Sequence, residues 1–235
     1  MHRLALALAL FGAACFTVPA AGQQTAPPVR DTMAQRMQAC TVCHGKEGRA
    51  TREGYFPRIA GKPAGYLYNQ LVNFRTGRRT NATMAYFTEH MSEAYLREIA
   101  TYFATLDLPY PPAEIRAVPA EEMRRGFDLV KQGDASRGIP ACGQCHGERM
   151  TGVEPAMPGL LGLSHHYLVG QLGAWRNGLR RAAPPDCMAE IAKRLSSADV
   201  VAVAAWLSSQ QITNAAKPAA QVESKPPIEC GSGFK

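Results

Sequence analysis

The sequence predicts an all-α protein in which two similar helical units follow each other along the chain. Two blocks support this prediction: YLYNQLVNFRTGRR begins at Tyr66 and YLVGQLGAWRNGLRR begins at Tyr167. Both blocks place leucines and an aromatic residue at helical spacing, and they share tyrosine, glutamine, arginine and glycine in the same order. No stretch shows the alternating pattern of a half-buried strand. Two copies indicate one duplicated unit and exclude a long solenoid.

Each unit is expected to contain helices at matching places. The pattern predicts a short helix over 31–43 and a longer one over 64–76, where apolar residues recur at helical spacing. Ser92 and Ser196 carry the hydroxyl side chain that favours an N-cap. Each serine is therefore expected to begin the last helix of its unit.

A proline-rich stretch separates the two units. LPYPPAEIRAVPAEE at 108–122 has the composition of an extended, semi-rigid linker. The chain end, from Asn214 onward, has the composition of a poorly ordered tail. The predicted organisation is, in chain order, a signal peptide at 1–22, a first domain at 23–108, a linker at 109–119, a second domain at 120–212 and a C-terminal tail at 213–235.

The first residues have the layout of a secretory signal. Arg3 is followed by an apolar run from Leu4 to Phe11 and then by small residues. The run is too short to span a bilayer, so we expect the chain to be exported and to work outside the cytoplasm. As an alternative, GAAC ending at Cys15 is a loose lipobox, whose use would leave a lipid-anchored protein with peripheral membrane association.

Composition and charge narrow the function classes. The chain has 235 residues, 46% of them apolar and 19% charged, which is typical of a globular protein and not of a disordered one. The formal net charge is +7, but the basic residues cluster only as arginine pairs at 78–79, 124–125 and 180–181. Because no nucleic-acid-reading motif accompanies this charge, we expect no nucleic-acid partner.

Two short motifs carry the chemistry: CTVCH occupies 40–44 and CGQCH occupies 142–146. In a C-x-x-C-H motif, two thiols add to the two vinyl groups of a haem and the following histidine coordinates the iron. The motifs therefore predict two covalently bound c-type haems. The attachment residues would be Cys40, Cys43, Cys142 and Cys145, and the histidine ligands would be His44 and His146.

Two other uses of these motifs were weighed. A zinc site would place its second cysteine pair within about twenty residues of the first, whereas 98 residues separate Cys43 from Cys142. A redox disulfide motif is typical of a βαβ setting, which this helical chain lacks. Neither alternative explains why the motif occurs once in each repeat.

Each haem iron needs a sixth ligand, and a methionine stands at an equivalent point of each unit. Met84 and Met188 follow the motif histidines by 40 and 42 residues. A thioether ligand raises the reduction potential of the iron and closes its second axial position. Met91 is the nearest alternative, but its counterpart in the second unit is Leu195, which cannot bind iron.

Other residues remain open as alternatives. Cys187 lies beside the second methionine and has three possible roles: iron ligation as a thiolate, a disulfide with Cys230, or a free thiol. His90, His165 and His166 are substitute ligands of the kind more often found as surface or hydrogen-bonded histidines. Four arginines are candidates for contact with haem propionates or with a partner protein: Arg58, Arg75, Arg78 and Arg176.

From about Met37 to Gln211 the sequence resembles the dihaem cytochromes c of the cytochrome c4 type. In the first unit the resemblance rests on CTVCHG at 40–45, FPRIAG at 56–61, YLYNQL at 66–71 and NATM at 81–84. In the second it rests on GIPACGQCHG at 138–147, YLVGQL at 167–172 and CM at 187–188. The resemblance implies two class I cytochrome c domains related by a pseudo-twofold axis, with methionine and histidine ligating both irons. PGLLGLSHH at 158–166, Cys187 and the tail with Cys230 depart from the family pattern.

The resemblance also implies a function: a periplasmic electron carrier between a respiratory donor and an acceptor such as a terminal oxidase. Its partners would be redox proteins, and it would not be an enzyme. The alternative is a cytochrome subunit permanently attached to a membrane-linked dehydrogenase or oxidase. A dihaem peroxidase-like enzyme would need an open iron site, against which two methionine ligands argue.

Overall fold

The computed structural model describes residues 30–51, 54–212, 217–222 and 224–233. The predicted signal peptide and the lipobox at Cys15 lie outside the described residues. In the described part, no helix is both long enough and apolar enough to cross a membrane.

The first half, residues 31–108, is built from five described α-helices. They are α1 (Met33–Arg36), α2 (Gln38–His44), α3 (Ala64–Arg75), α4 (Ala82–Thr88) and α5 (Glu93–Thr105). The helix predicted over 31–43 is thus divided in two at Met37. Ser92 caps α5 as predicted, since its hydroxyl accepts a hydrogen bond from the backbone N–H of Tyr95 at 3.2 Å.

The second half, residues 120–212, repeats this plan after a linker without regular secondary structure. Its helices are α6 (Ala120–Lys131), α7 (Gly143–His146), α8 (His165–Arg176), α9 (Cys187–Arg194) and α10 (Ser197–Ser208). Ser196 begins α10 as predicted, in a capping box completed by Asp199. Two short antiparallel strands, β1 (Gly152–Val153) and β2 (Met157–Pro158), were not predicted because two residues give no alternating pattern.

Each half has its own apolar core. In the first half, the buried cluster lies between α3 and α5 and consists of Met37, Leu67, Ile99, Ala100 and Phe103. In the second half, α10 packs between α6 and α8 around a cluster that includes Val130, Leu168, Val203 and Leu207. These separate cores agree with two domains, whose exact boundaries stay a prediction.

Equivalent residues of the two halves meet in a buried hydrogen-bonded cluster, which we call the arginine cluster. Its members are Tyr66, Gln70 and Arg79 and their counterparts 101 residues later, Tyr167, Gln171 and Arg180. The Arg79 guanidinium donates to the Tyr167 hydroxyl at 2.9 Å, and that of Arg180 donates to the Tyr66 hydroxyl at 3.2 Å. Each arginine also donates to a glutamine of the other half, Gln171 or Gln70. This reciprocity is what a pseudo-twofold axis produces.

Described residues of the tail bond to both halves, so the prediction of poor order is wrong for them. Ala219 exchanges backbone hydrogen bonds with Gly152 and Glu154 at 2.9 and 2.8 Å. Cys230 forms a disulfide with Cys187, with 5.1 Å between their Cα atoms. The composition of the tail did not reveal this cross-link, which anchors the segment.

Candidate haem-binding sites

All eight residues predicted to hold the haems line one cavity of about 560 Å³ that extends through both halves. Leucine, isoleucine and phenylalanine side chains form much of its wall. The lining residues of the first half are Cys40, Cys43, His44 and Met84. Those of the second half are Cys142, Cys145, His146 and Met188. An apolar cavity with thiols, imidazoles and thioethers at its wall suits a large apolar cofactor that contains iron.

In the first motif, α2 ends at His44 and the chain turns sharply at Gly45. The glycine has φ 74°, and a Cβ there would lie 2.2 Å from the carbonyl oxygen of Ala50, so only glycine fits. The turn places Nδ1 of His44 3.0 Å from the carbonyl oxygen of Pro57. Because a carbonyl can only accept, Nδ1 carries the proton and Nε2 is left with the lone pair that a metal needs.

The second motif repeats this arrangement. Nδ1 of His146 lies 2.7 Å from the carbonyl oxygen of Pro158, in the proline-containing turn that recurs in both units. Burial lowers the pKa of His44 and of His146 more than the carbonyl contacts raise it. Both imidazoles are therefore held neutral, which is the form that binds iron.

The four motif cysteines are free thiols, whereas Cys187 and Cys230 are joined in a disulfide. Burial raises the pKa of Cys40 and Cys145, and it raises that of Cys142 to about 12. Burial thus favours the uncharged thiol over the thiolate. Among the described residues, no three His, Cys, Asp or Glu side chains come together as a metal site. An uncharged thioether to haem suits these positions better.

The predicted methionine ligands lie near the start of matching helices. The Met84 N–H donates to Oδ1 of Asn81, the N-cap of α4, at 2.9 Å. Met188 is the second residue of α9, whose N-cap Asp186 accepts from the Ala189 N–H at 3.0 Å. Both side chains are half-buried and line the cavity. The caps thus fix the backbone from which each thioether extends.

The alternative ligands fall into different surroundings. Met91 and His166 line the cavity, so they remain close to the site. His90 is at the surface, with 90% of its side chain exposed. Cys187 is engaged in its disulfide and offers no thiolate in this form. The thiolate alternative therefore requires reduction of that bond.

Arg58 has a structural role that its sequence position did not indicate. Only 3% of the residue is exposed, and its guanidinium donates to the carbonyls of Ala60 and Pro109 at 3.1 and 2.9 Å. It also stacks on the ring of Tyr110, 4.4 Å from the centroid. The side chain thus fastens the linker to the first half, and its burial argues against contact with a partner protein.

Lys62 is a buried residue of the site that the repeat analysis missed. Its ammonium donates across the two halves to the carbonyl oxygen of Gly159 at 2.7 Å. Burial lowers the pKa of Lys62 to about 7. Its counterpart 101 residues later is Leu163, so the repeat gave no signal for this lysine.

Arg79 and Arg180 add a further indication of the cofactor. They are 9% and 4% exposed, and the side-chain acceptors that the structure gives them are neutral tyrosine and glutamine oxygens. Buried cations favour an anionic partner. Because both arginines line the cavity, the propionate groups of a haem are chemically suited to supply that charge.

No protein-family model matches the chain. Individual relatives match over most of its length. The chain is 36% identical over 211 residues to the thiosulfate dehydrogenase electron acceptor of Thiomonas intermedia, covering 90% of this chain and 93% of the relative. It is 31% identical over 170 residues to cytochrome c4 of Pseudomonas aeruginosa, covering 72% of this chain and 82% of the relative.

Solved structures share the fold. Reduced recombinant cytochrome c4 from Pseudomonas stutzeri has a TM-score of 0.66 and 26% identity, over 76% of this chain and 96% of that one. Thiosulfate dehydrogenase (TsdBA) from Marichromatium purpuratum has a TM-score of 0.63 and 30% identity, over 73% of this chain and 36% of that one. The predicted all-α fold of two tandem class I cytochrome c domains and the two c-type haems are confirmed. The chain belongs to the cytochrome c4 family of dihaem electron-transfer proteins.

Proposed function

We propose that this protein works in the periplasm, accepts single electrons from a thiosulfate dehydrogenase and passes them to an acceptor such as a terminal oxidase. The donor is proposed from two relatives named thiosulfate dehydrogenase electron acceptor. These are 36% and 37% identical to the chain, compared with 31% for the cytochrome c4 of Pseudomonas aeruginosa. The periplasmic location and the oxidase acceptor follow from the family resemblance.

The observation that carries the proposal is the matched pair of ligand sets on one cavity. We propose that Cys40, Cys43, His44 and Met84 hold the first haem and that Cys142, Cys145, His146 and Met188 hold the second. Bound haem supplies an iron that cycles between the ferrous and ferric states. The proline carbonyls fix each imidazole tautomer, and the two thioethers would hold the iron and keep small molecules from it.

The protein would not be an enzyme in this proposal. Its residues bind and orient two cofactors, exclude water from them with apolar side chains and leave substrate chemistry to the donor. The peroxidase-like alternative needs an exchangeable iron position, which the two methionines at the cavity wall disfavour. The residues assigned to the two haems line one cavity, so an electron that enters at either haem would have a path to the other through the interior.

Permanent attachment to a dehydrogenase is the second candidate. The thiosulfate dehydrogenase from Marichromatium purpuratum favours it, since the matching region is 36% of a longer chain there. In that arrangement the electron would pass between parts of one stable complex. Copurification of this protein with a dehydrogenase at a fixed ratio would favour this candidate over a free carrier.

The test is a redox titration of the fully haem-loaded protein followed by an electron-transfer assay. We expect two high-potential one-electron steps, a ferric methionine–iron charge-transfer band from both haems and no carbon monoxide adduct of the reduced form. A purified thiosulfate dehydrogenase supplied with thiosulfate should then reduce both haems. A high-spin haem that takes up carbon monoxide would overturn the ligand assignment, and failure of reduction by the dehydrogenase would overturn the proposed donor.

A further inference from the structure

Trp175 carries a buried hydrogen-bond donor for which the described chain provides no acceptor. Three buried side-chain atoms of the described residues lack a partner: Thr51 Oγ1, His165 Nδ1 and Trp175 Nε1. Of these three residues, only Trp175 lines the haem cavity. Indole nitrogen donates and never accepts, and buried donors in folded proteins are rarely left unpaired. The missing acceptor is therefore expected to come from what fills the cavity.

The surroundings of Trp175 favour an anionic acceptor. Trp175 lies in the last turn of α8, and the Arg180 guanidinium stacks over its ring at 3.8 Å from the centroid. Arg180 is buried and also lines the cavity. An N–H group beside a buried positive charge forms a site that attracts a carboxylate.

We propose that Nε1–H of Trp175 donates a hydrogen bond to a propionate of the haem attached to Cys142 and Cys145. The inference rests on the proposed residue assignment of the second haem. The pyrrole nitrogens of haem bind iron, its vinyl groups are consumed by the cysteines, and its methyl groups are apolar. The propionate carboxylates are thus the acceptors that it can offer to an indole.

The first half lacks this donor. The counterpart of Trp175, 101 residues earlier, is Phe74, which stacks under Arg79 with 4.5 Å between the guanidinium carbon and the ring centroid. The stacked arginine is thus kept in both halves, but the N–H group exists only in the second. The hydrogen bond stabilises the ionised propionate, so the two haems should differ in the pKa of this group.

The first test needs no variant. The reduced holoprotein with ¹⁵N-labelled tryptophan contains only two indole N–H groups, those of Trp175 and Trp206. Trp206 packs edge-on against Phe127, with 5.9 Å between ring centroids, and serves as the internal control. We expect the Trp175 N–H to exchange with solvent at least tenfold more slowly than that of Trp206 and to lie downfield. Equal exchange and no downfield shift would overturn the proposal.

The second test compares Trp175→Phe, which makes the second pocket like the first, with Trp206→Phe as the matched control. Potentials are measured against pH. In a plot of reduction potential against pH, the slope for the second haem changes at the pKa of its propionate. In Trp175→Phe this pH should rise by about one unit, because the ionised propionate loses a hydrogen bond. Trp206→Phe should leave it unchanged. An unchanged inflection in Trp175→Phe would overturn the proposal.

Failure of the ligand assignment has a different signature. Haem content and the methionine–iron band are recorded for each variant. If the wild-type protein lacks the methionine band, the proposed function fails, whatever the indole spectrum shows. If both haems and both bands are intact while the indole exchanges freely, only the propionate contact is wrong. Poor haem loading of Trp175→Phe would leave the wild-type exchange measurement to decide.

Discussion

Arg79 and Arg180 pair through their backbones as an isolated antiparallel bridge, and their guanidinium groups share the Oε1 atom of Gln171 at 2.7 and 2.8 Å. Two like charges thus meet where the two halves join. Burial tends to raise the pKa of Tyr167, but the nearby guanidinium groups outweigh it and lower that pKa. The arginine cluster therefore joins the halves through hydrogen bonds from two buried guanidinium groups.

Removal of Arg180 is expected to loosen this contact. Arg180→Ala loses the bonds to Gln171, Tyr66 and Gln70. Arg79 still donates to both glutamines, so the Tyr66 hydroxyl is the group that loses its donor. We expect a loss of about 2 kcal/mol in the free energy of unfolding, measured by denaturant titration of the holoprotein. Arg78→Ala is the control because Arg78 is exposed and its backbone bond to Arg181 survives the change. Equal losses in the two variants would contradict the role of the cluster.

The axial assignment can be tested one haem at a time. Met188→Ala should abolish the ferric methionine–iron band of one haem and open that iron to carbon monoxide, with an uptake of about one molecule per protein. Met84→Ala should do the same at the other haem. Met91→Leu, which changes a methionine that also lines the cavity, should retain both bands. Loss of a band in Met91→Leu would show that Met91, and not Met84, is the ligand of the first haem.

Asp199 should stabilise the second half in a pH-dependent way. Its carboxylate is fully buried and accepts from Arg125 and Arg137, both at 2.7 Å. Burial tends to raise the pKa of Asp199, but these bonds and those from Ser196 lower it below the ordinary 3.8. The stabilisation is therefore complete above pH 3.8 and is lost as the pH falls toward the lowered value.

Asp199→Asn is thus expected to cost about 3 kcal/mol at neutral pH, because it leaves two arginines without their carboxylate. The difference from the wild type should shrink below about pH 4 in denaturant titrations. Asp31→Asn is the control, since it removes an exposed ion pair with Arg36 and should change little. A loss that does not vary with pH would contradict this account.

The buried charge of Lys62 should destabilise the fold, whereas that of Asp199 stabilises it. Its folded pKa of about 7 is below the ordinary 10.5, so between these values the unfolded chain binds more protons and stability rises with pH. Lys62→Met removes this penalty. We expect it to raise the free energy of unfolding most at and below pH 7, with a gain that disappears near pH 10.5. A variant that is less stable at pH 6 would show that the contact with Gly159 outweighs the cost of burying the charge.

The repeat explains why much of the site was predictable from sequence. It aligned the motif cysteines and histidines, indicated Met84 and Met188 as ligands and predicted the N-caps Ser92 and Ser196. This was possible because both units have the same helices at matching places. Features that occur once gave no such signal. The reach of Lys62 into the other half and the orphaned donor of Trp175 depend on how the halves pack. The Cys187–Cys230 pairing depends on a tail whose path composition alone does not specify.

The Cys187–Cys230 disulfide requires that some cysteines are oxidised during biosynthesis while others stay reduced. Beyond Cys15, the chain has six cysteines, of which two must be oxidised while four are kept as thiols for haem attachment. Full oxidation in any of the fifteen pairings open to six cysteines would consume the attachment thiols. Cys145 lies in the same apolar cluster as Cys187 and Cys230, so it is their nearest competitor. An assembly order that attaches the second haem first removes this competitor before the tail is cross-linked.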